Sequence, residues 1–201
     1  MKNYFFTWMM AFICSTSLLA QDTISVSYEF PKDLFIHNLM RFQNIDAYDV
    51  TVKGPFQNTP YKLYMIRNKE GKTERKELNA MFPCRMDSVK HFFFFAQPET
   101  PDTVHIKCFY DTEIDLHIPI DTKHCILMET LPTKPYTVTD TIPLMAYTAG
   151  EEKNIPFNGE VVKAIDYCGV RYSNTHPSEW FEKFKIKDYI YFEIEFMPEK
   201  E

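Results

Sequence analysis

Glycine is scarce, five in 201 residues, and Gly54, Gly71, Gly150, Gly159 and Gly169 never cluster. A phosphate cradle needs glycines close together so that backbone N–H groups can close on the anion, so the nucleotide-binding loops are excluded. The G-x-S-x-G elbow that exposes a serine nucleophile is missing, and so is the H-E-x-x-H pair of zinc hydrolases. Among Cys14, Cys84, Cys108, Cys125 and Cys168 the closest two have sixteen residues between them, which excludes a C-x-x-C zinc knuckle. There is no basic stripe either. The densest basic stretch, 69–76, is interrupted by Glu70, Gly71 and Glu74 and reads as a solvated hairpin tip. Nucleic acid, which is held by releasing counterions from a continuous basic surface, is not an expected partner. No repeat of fixed period and no low-complexity linker divides the chain.

Residues 1–20 read as an export signal. Lys2 supplies a positive start, an apolar stretch runs through 4–13, and Leu18-Leu19-Ala20 precedes the polar Gln21-Asp22, so cleavage is expected after Ala20. The stretch is short for a bilayer span and has no charged stop behind it. Cys14 is not expected to carry a lipid, because Ile13 stands where lipid attachment needs a small residue. This segment holds one of the 22 basic residues and none of the 28 acids, so the mature chain carries 21 against 28, a net charge of −7. The 181 residues left suit one domain, able to bury roughly 70% of its unfolded surface. No membrane span is expected in 21–201.

Period-two alternation dominates that domain. Ile24, Val26, Tyr28 and Phe30 alternate with polar residues, as do Tyr48, Val50 and Val52, then Tyr61, Leu63 and Met65, then Val104, Ile106 and Cys108. In the last segment Ile190, Phe192, Ile194 and Phe196 face one way, and Tyr189, Tyr191, Glu193 and Glu195 the other. Turn residues separate these runs at Lys53-Gly54-Pro55, 68–71, 97–102 and 131–135, and Asn158-Gly159 is the clearest two-residue hairpin signal. Helical spacing occurs only in 32–42 and 177–184, the second opened by Thr175 or His176 with Pro177 in its first turn. Strands without a helix between most of them exclude a parallel α/β sheet. The expected fold is mostly β, a single-domain antiparallel two-layer β-sandwich with one or two short helices. An outer-membrane barrel is disfavoured by the charged end Glu199-Lys200-Glu201 and by the aromatic run 92–95, which breaks alternation. Four consecutive phenylalanines predict an interior strand with both faces covered.

Several residues are candidates by type. Tyr167-Cys168-Gly169-Val170-Arg171 is similar to the nucleophile segment of secreted cell-wall transpeptidases, but those enzymes carry Ser-His-Gly just before the cysteine, where this chain has Ile165-Asp166-Tyr167. A Cys168/His176 dyad remains the candidate nucleophile and base. Asp111, Glu113 and Asp115 alternate along one strand face with His117 next, a set of oxygen ligands that would suit calcium, although repelling surface carboxylates are the ordinary reading. His105, His117 and His124 would converge only if their strands pair, and would then suit zinc. Asp140, Glu151, Glu152 and Asp166 are glycosidase acids by residue type alone. Tyr189 and Tyr191, on the polar face of the last strand, could stack on sugar rings. The four mature cysteines permit two disulfides, and Cys108–Cys125 is the expected one, Cys108 pointing inward from its strand. No cofactor is expected.

Two functions follow. One is a non-enzymatic binding or structural module of the bacterial cell envelope, periplasmic or secreted, with a glycan or envelope protein as partner. The other is a periplasmic or secreted hydrolase of glycan or peptide, which would need a deep cleft holding two carboxylates or a cysteine beside a histidine.

Overall fold

A computed structural model describes residues 23–81, 84–130 and 135–197. Residues 1–22, with the expected export signal, 82–83, 131–134 and 198–201 lie outside the described residues. Two antiparallel sheets pack face to face. The first carries β1 (Ser25–Glu29), β2 (Asp46–Lys53), β6 (Val89–Thr100), β7 (Thr103–Phe109) and β8 (Glu113–Pro119) in the order β1-β2-β6-β7-β8. The second carries β3 (Thr59–Lys69), β4 (Lys72–Glu77), β9 (Ile126–Glu129), β10 (Thr141–Thr148) and β13 (Asp188–Phe196) in the order β4-β3-β13-β10-β9, with β5 (Cys84–Met86) also paired to β3. A separate hairpin, β11 (Glu151–Phe157) and β12 (Glu160–Asp166), stands outside both sheets. This is the mostly β sandwich that the alternation predicts, and every strand series named above falls on a strand, except that Phe30 lies beyond the end of β1 and is exposed.

The inward halves of the alternating segments make one core. Val50, Val52, Phe92, Phe94, Val104 and Ile106 from the first sheet meet Leu63, Ile142, Met145, Ile190, Phe192 and Ile194 from the second. Phe94 and Phe192 touch across the layers with ring centroids 5.1 Å apart. Burying such side chains is worth roughly 1.5–3 kcal/mol each, which fixes the register of the strands that line this core, because a slip of one residue would turn their apolar set out of it. The turns follow local chemistry. Asn158 and Gly159 both have positive φ (51° and 84°), as do Glu70 and Gly71 (53° and 81°), the backbone that a two-residue turn between right-twisted strands requires. At Gly71 a side chain would also meet the Phe181 ring at 2.8 Å.

The two outer faces differ. That of the second sheet is covered. The α2 helix (Tyr167–Arg171), a 3-10 turn (Pro177–Glu179) and α3 (Trp180–Phe184) lay Val170 and Trp180 on Tyr64, Ile66, Ala146, Tyr189 and Tyr191 in a second core. At the β4 edge Arg75 covers the Tyr64 ring, 3.4 Å from its centroid. The helical spacing of 177–184 is realised there, split between the 3-10 turn and α3, whereas α2 carries no periodic signal and is set by Asp166, whose carboxylate accepts the Gly169 N–H at 2.6 Å. Arg171 of α2 reaches the buried Glu129 of β9 at 2.9 Å and ties the cover to the sheet.

The outer face of the first sheet is open. Phe92 and Phe94 point into the core with no exposure, but Phe93 is 42% exposed, so the expectation that both faces of the 92–95 strand are covered is corrected. Alternation holds through the aromatic run after all: Phe93 stacks on His91 and Phe95 meets Phe109 edge to face, a cross-strand arrangement that shields the outward rings only in part. Beside this sheet, α1 (Leu34–Phe42) is capped by Asp33, whose carboxylate accepts from the Ile36 N–H at 2.9 Å. None of its residues is buried, and Phe35 and Phe42 lie in solvent.

Candidate functional site

On the open face the registers align side chains in rows. Asp49, Phe93, Phe109 and Glu113 are successive partners across β2, β6, β7 and β8, followed by Ala47, Phe95, Lys107 and Asp115, then Gln97, His105 and His117. His105 and His117 are directly opposed, with rings 4.4 Å apart and 10° from parallel. A β-bulge between Pro98 and Thr100 leaves Glu99 without a strand partner and turns it onto the same pair.

Each imidazole has two distinct edges, and a carboxylate lies at each. Glu99 lies 2.9 Å from Nδ1 of His117 and 3.9 Å from Nδ1 of His105. Asp115 lies 2.6 Å from Nε2 of His105 and 3.6 Å from Nε2 of His117. Lys107 holds Asp115 at 2.9 Å and Glu113 at 2.8 Å. The hydrogen bond to Glu99 raises the pKa of His117 above its ordinary value, and hydrogen bonds from Lys107 and then His105 hold the Asp115 carboxyl below its own. Glu99, His105 and His117 can each offer one donor atom to a common centre, all within 4.8 Å of one another. Two imidazoles and a carboxylate are the donor set of borderline divalent metals.

The predicted site residues separate. The acidic ladder of Asp111, Glu113, Asp115 and His117 does not form one ligand set: Asp111 lies before β8 and pairs with Lys90, while Glu113 and Asp115 share the Lys107 ammonium. His124 is not part of the histidine group. It stands at positive φ in the turn before β9, where its carbonyl accepts from the Tyr167 hydroxyl.

Tyr189 and Tyr191 are 0% and 4% exposed, which corrects the expectation of a sugar platform. The face they share is apolar enough to take the helical cover, and the Tyr189 hydroxyl donates to the Pro177 carbonyl at 2.7 Å. Cys168 is exposed at the start of α2, whereas His176 caps the 3-10 turn, its Nδ1 accepting from the Ser178 N–H at 3.2 Å. Among the described residues no hydrogen bond joins the two. Burial lowers the His176 pKa.

All four described cysteines are free, so the expected Cys108–Cys125 bridge is absent. Cys108 lies in the core on β7, where burial pushes its thiol pKa up, but Cys125 precedes β9 of the opposite sheet and turns its sulfur to the Asp121 carbonyl at 3.1 Å. Burial pushes the Cys125 thiol up to about 12.

Glu99 and Lys107 escaped the sequence reading. Glu99 sits among turn-forming residues, and only its phase two places beyond Gln97 marks it as outward.

Comparison with protein-family models, curated proteins and solved structures finds no match for this chain. Fold and site therefore define its class on their own: an antiparallel two-sheet sandwich with one covered and one open outer face.

Proposed function

We propose that this protein is exported through residues 1–20 and works in the periplasm or outside the cell as a non-enzymatic binding or structural module of the bacterial envelope, with a glycan or envelope protein as partner. The open outer face of the first sheet carries this reading. It offers aromatic rings, Phe93 and Phe109, beside paired charges on an exposed strand surface, and such rings give a partner apolar faces to pack on next to polar groups. A hydrolase would instead gather its groups in a cleft. Of two notable pockets, one of about 240 Å³ lies between α1 and β2 and holds the single carboxylate Asp46. The other, about 340 Å³, lies on the β3–β4 hairpin, where Glu70 and Glu74 are solvated among Arg67, Lys69 and Lys72. Neither places a cysteine beside a histidine.

Exported material tests the proposal. Intact mass should show the chain beginning at Gln21, and the purified protein should sediment with isolated cell envelopes without releasing reducing ends or free amines from them. A retained N-terminus overturns the export reading. Release of product that disappears on one substitution, Cys168→Ala for example, overturns the binding reading in favour of the hydrolase.

A further inference from the structure

The outer face of β6, β7 and β8 carries a feature that a structural or glycan-binding surface does not require. We propose that Glu99, His105 and His117 form a binding site for a divalent first-row transition metal of the zinc class, held by Nδ1 of both histidines and the Glu99 carboxylate.

The tautomer argues for it. A neutral imidazole keeps one N–H and one lone pair, and which nitrogen holds the proton is set by the partner of the other. Asp115 accepts on the Nε2 edge, 2.6 Å from His105, and Lys107 anchors it there. With its proton on Nε2, His105 turns its Nδ1 lone pair to the opposite edge, where Glu99 stands, while His117 hydrogen-bonds Glu99 through Nδ1 and releases that proton when a metal takes its place. A carboxylate behind the imidazole, opposite the donor nitrogen, is the arrangement that orients histidines toward metals and raises their basicity.

Distances support the same reading. Zinc bonds of about 2.0–2.1 Å in a tetrahedron put neighbouring donors roughly 3.3–3.4 Å apart. Glu99 reaches the two Nδ1 atoms with different oxygens, at 2.9 and 3.9 Å, and one donor atom from each of the three residues lies within 4.8 Å of the others, so side-chain rotations close the set. Direct opposition of His105 and His117 across two hydrogen-bonded strands fixes their spacing before any metal arrives, and the bulge supplies the third ligand. Three protein donors leave a position open to solvent. Calcium, which takes six to eight oxygens, does not fit two imidazoles beside an ammonium.

The test is titration of the purified protein with Zn(II), then Co(II) as a spectroscopic probe, with Ca(II) as control. One saturable zinc site is expected, with a cobalt spectrum lacking thiolate charge-transfer absorption and no response to calcium. His105→Ala and His117→Ala should each weaken zinc binding at least about 100-fold, and Asp115→Asn about 10- to 100-fold. All three side chains lie on the outer face, His105 half-buried and the others exposed, so circular dichroism should show the variants folded. Absence of a saturable site, survival of binding in either histidine variant, or a thiolate signature that moves the metal to a cysteine overturns the proposal. Zinc is titrated without envelope material, so this failure is separable from failure of the binding-module reading.

Discussion

His105 and His117 face each other across β7 and β8 with parallel rings 4.4 Å apart, and both edges of the stack end in a carboxylate, Glu99 on one side and Asp115 on the other. The two carboxylates hold the stacked pair in place and give the open face of the sandwich a polar centre beside the aromatic patch of Phe93, Phe95 and Phe109.

Consecutive phenylalanines on β6 should differ sharply in worth. Phe94→Ala is expected to destabilise the protein by about 3–5 kcal/mol, because the ring is fully buried against Phe192, whereas Phe93→Ala should cost about 1 kcal/mol or less. Urea unfolding measures both. Equal losses would mean that the outer face is covered.

The thiols should sort by position. A thiol reagent applied to native protein is expected to modify the exposed Cys168 promptly and to leave Cys84 and Cys108 unmodified until the protein is denatured, when all four react. Unreduced peptide mapping that finds a Cys108–Cys125 bridge would contradict the free, divergent sulfurs.

Stability should fall on the acid side through His176. Burial lowers its folded pKa below the unfolded value near 6.5, and its Nδ1 needs a lone pair to accept from Ser178. Between the two pKa values the unfolded chain binds more protons, so stability rises with pH there. The loss begins as pH drops through about 6.5 and is complete below the folded pKa. A His176→Asn variant, which keeps a capping side chain, should lose that part of the slope. An unchanged slope would assign it elsewhere.

Much of this fold was legible because a half-buried strand writes its geometry at period two. Val104, Ile106 and Cys108 name the inward face of β7, and the same phase puts His105 and Lys107 outward. The site was legible in part: His105 and His117 were visible only within a trio with His124, conditional on strand pairing, and of the three only these two meet, since their register depends on a short turn, and Glu99 on a bulge. Tyr189 and Tyr191 misled because alternation separates two faces without saying what covers the second. That cover is formed by residues 167–184, and α2 within them is only five residues long, too short for a periodic signal.

Both proposed functions use the open face, so the contrast in exposure between the two faces decides them. Hydroxyl-radical footprinting of the native protein, read by peptide mass spectrometry, measures that contrast. Phe93, Phe109, His105 and His117 should be oxidised readily while Trp180, Tyr189 and Tyr191 stay protected until unfolding. Oxidation of Tyr189 and Tyr191 at the rate of Phe109 would contradict the account.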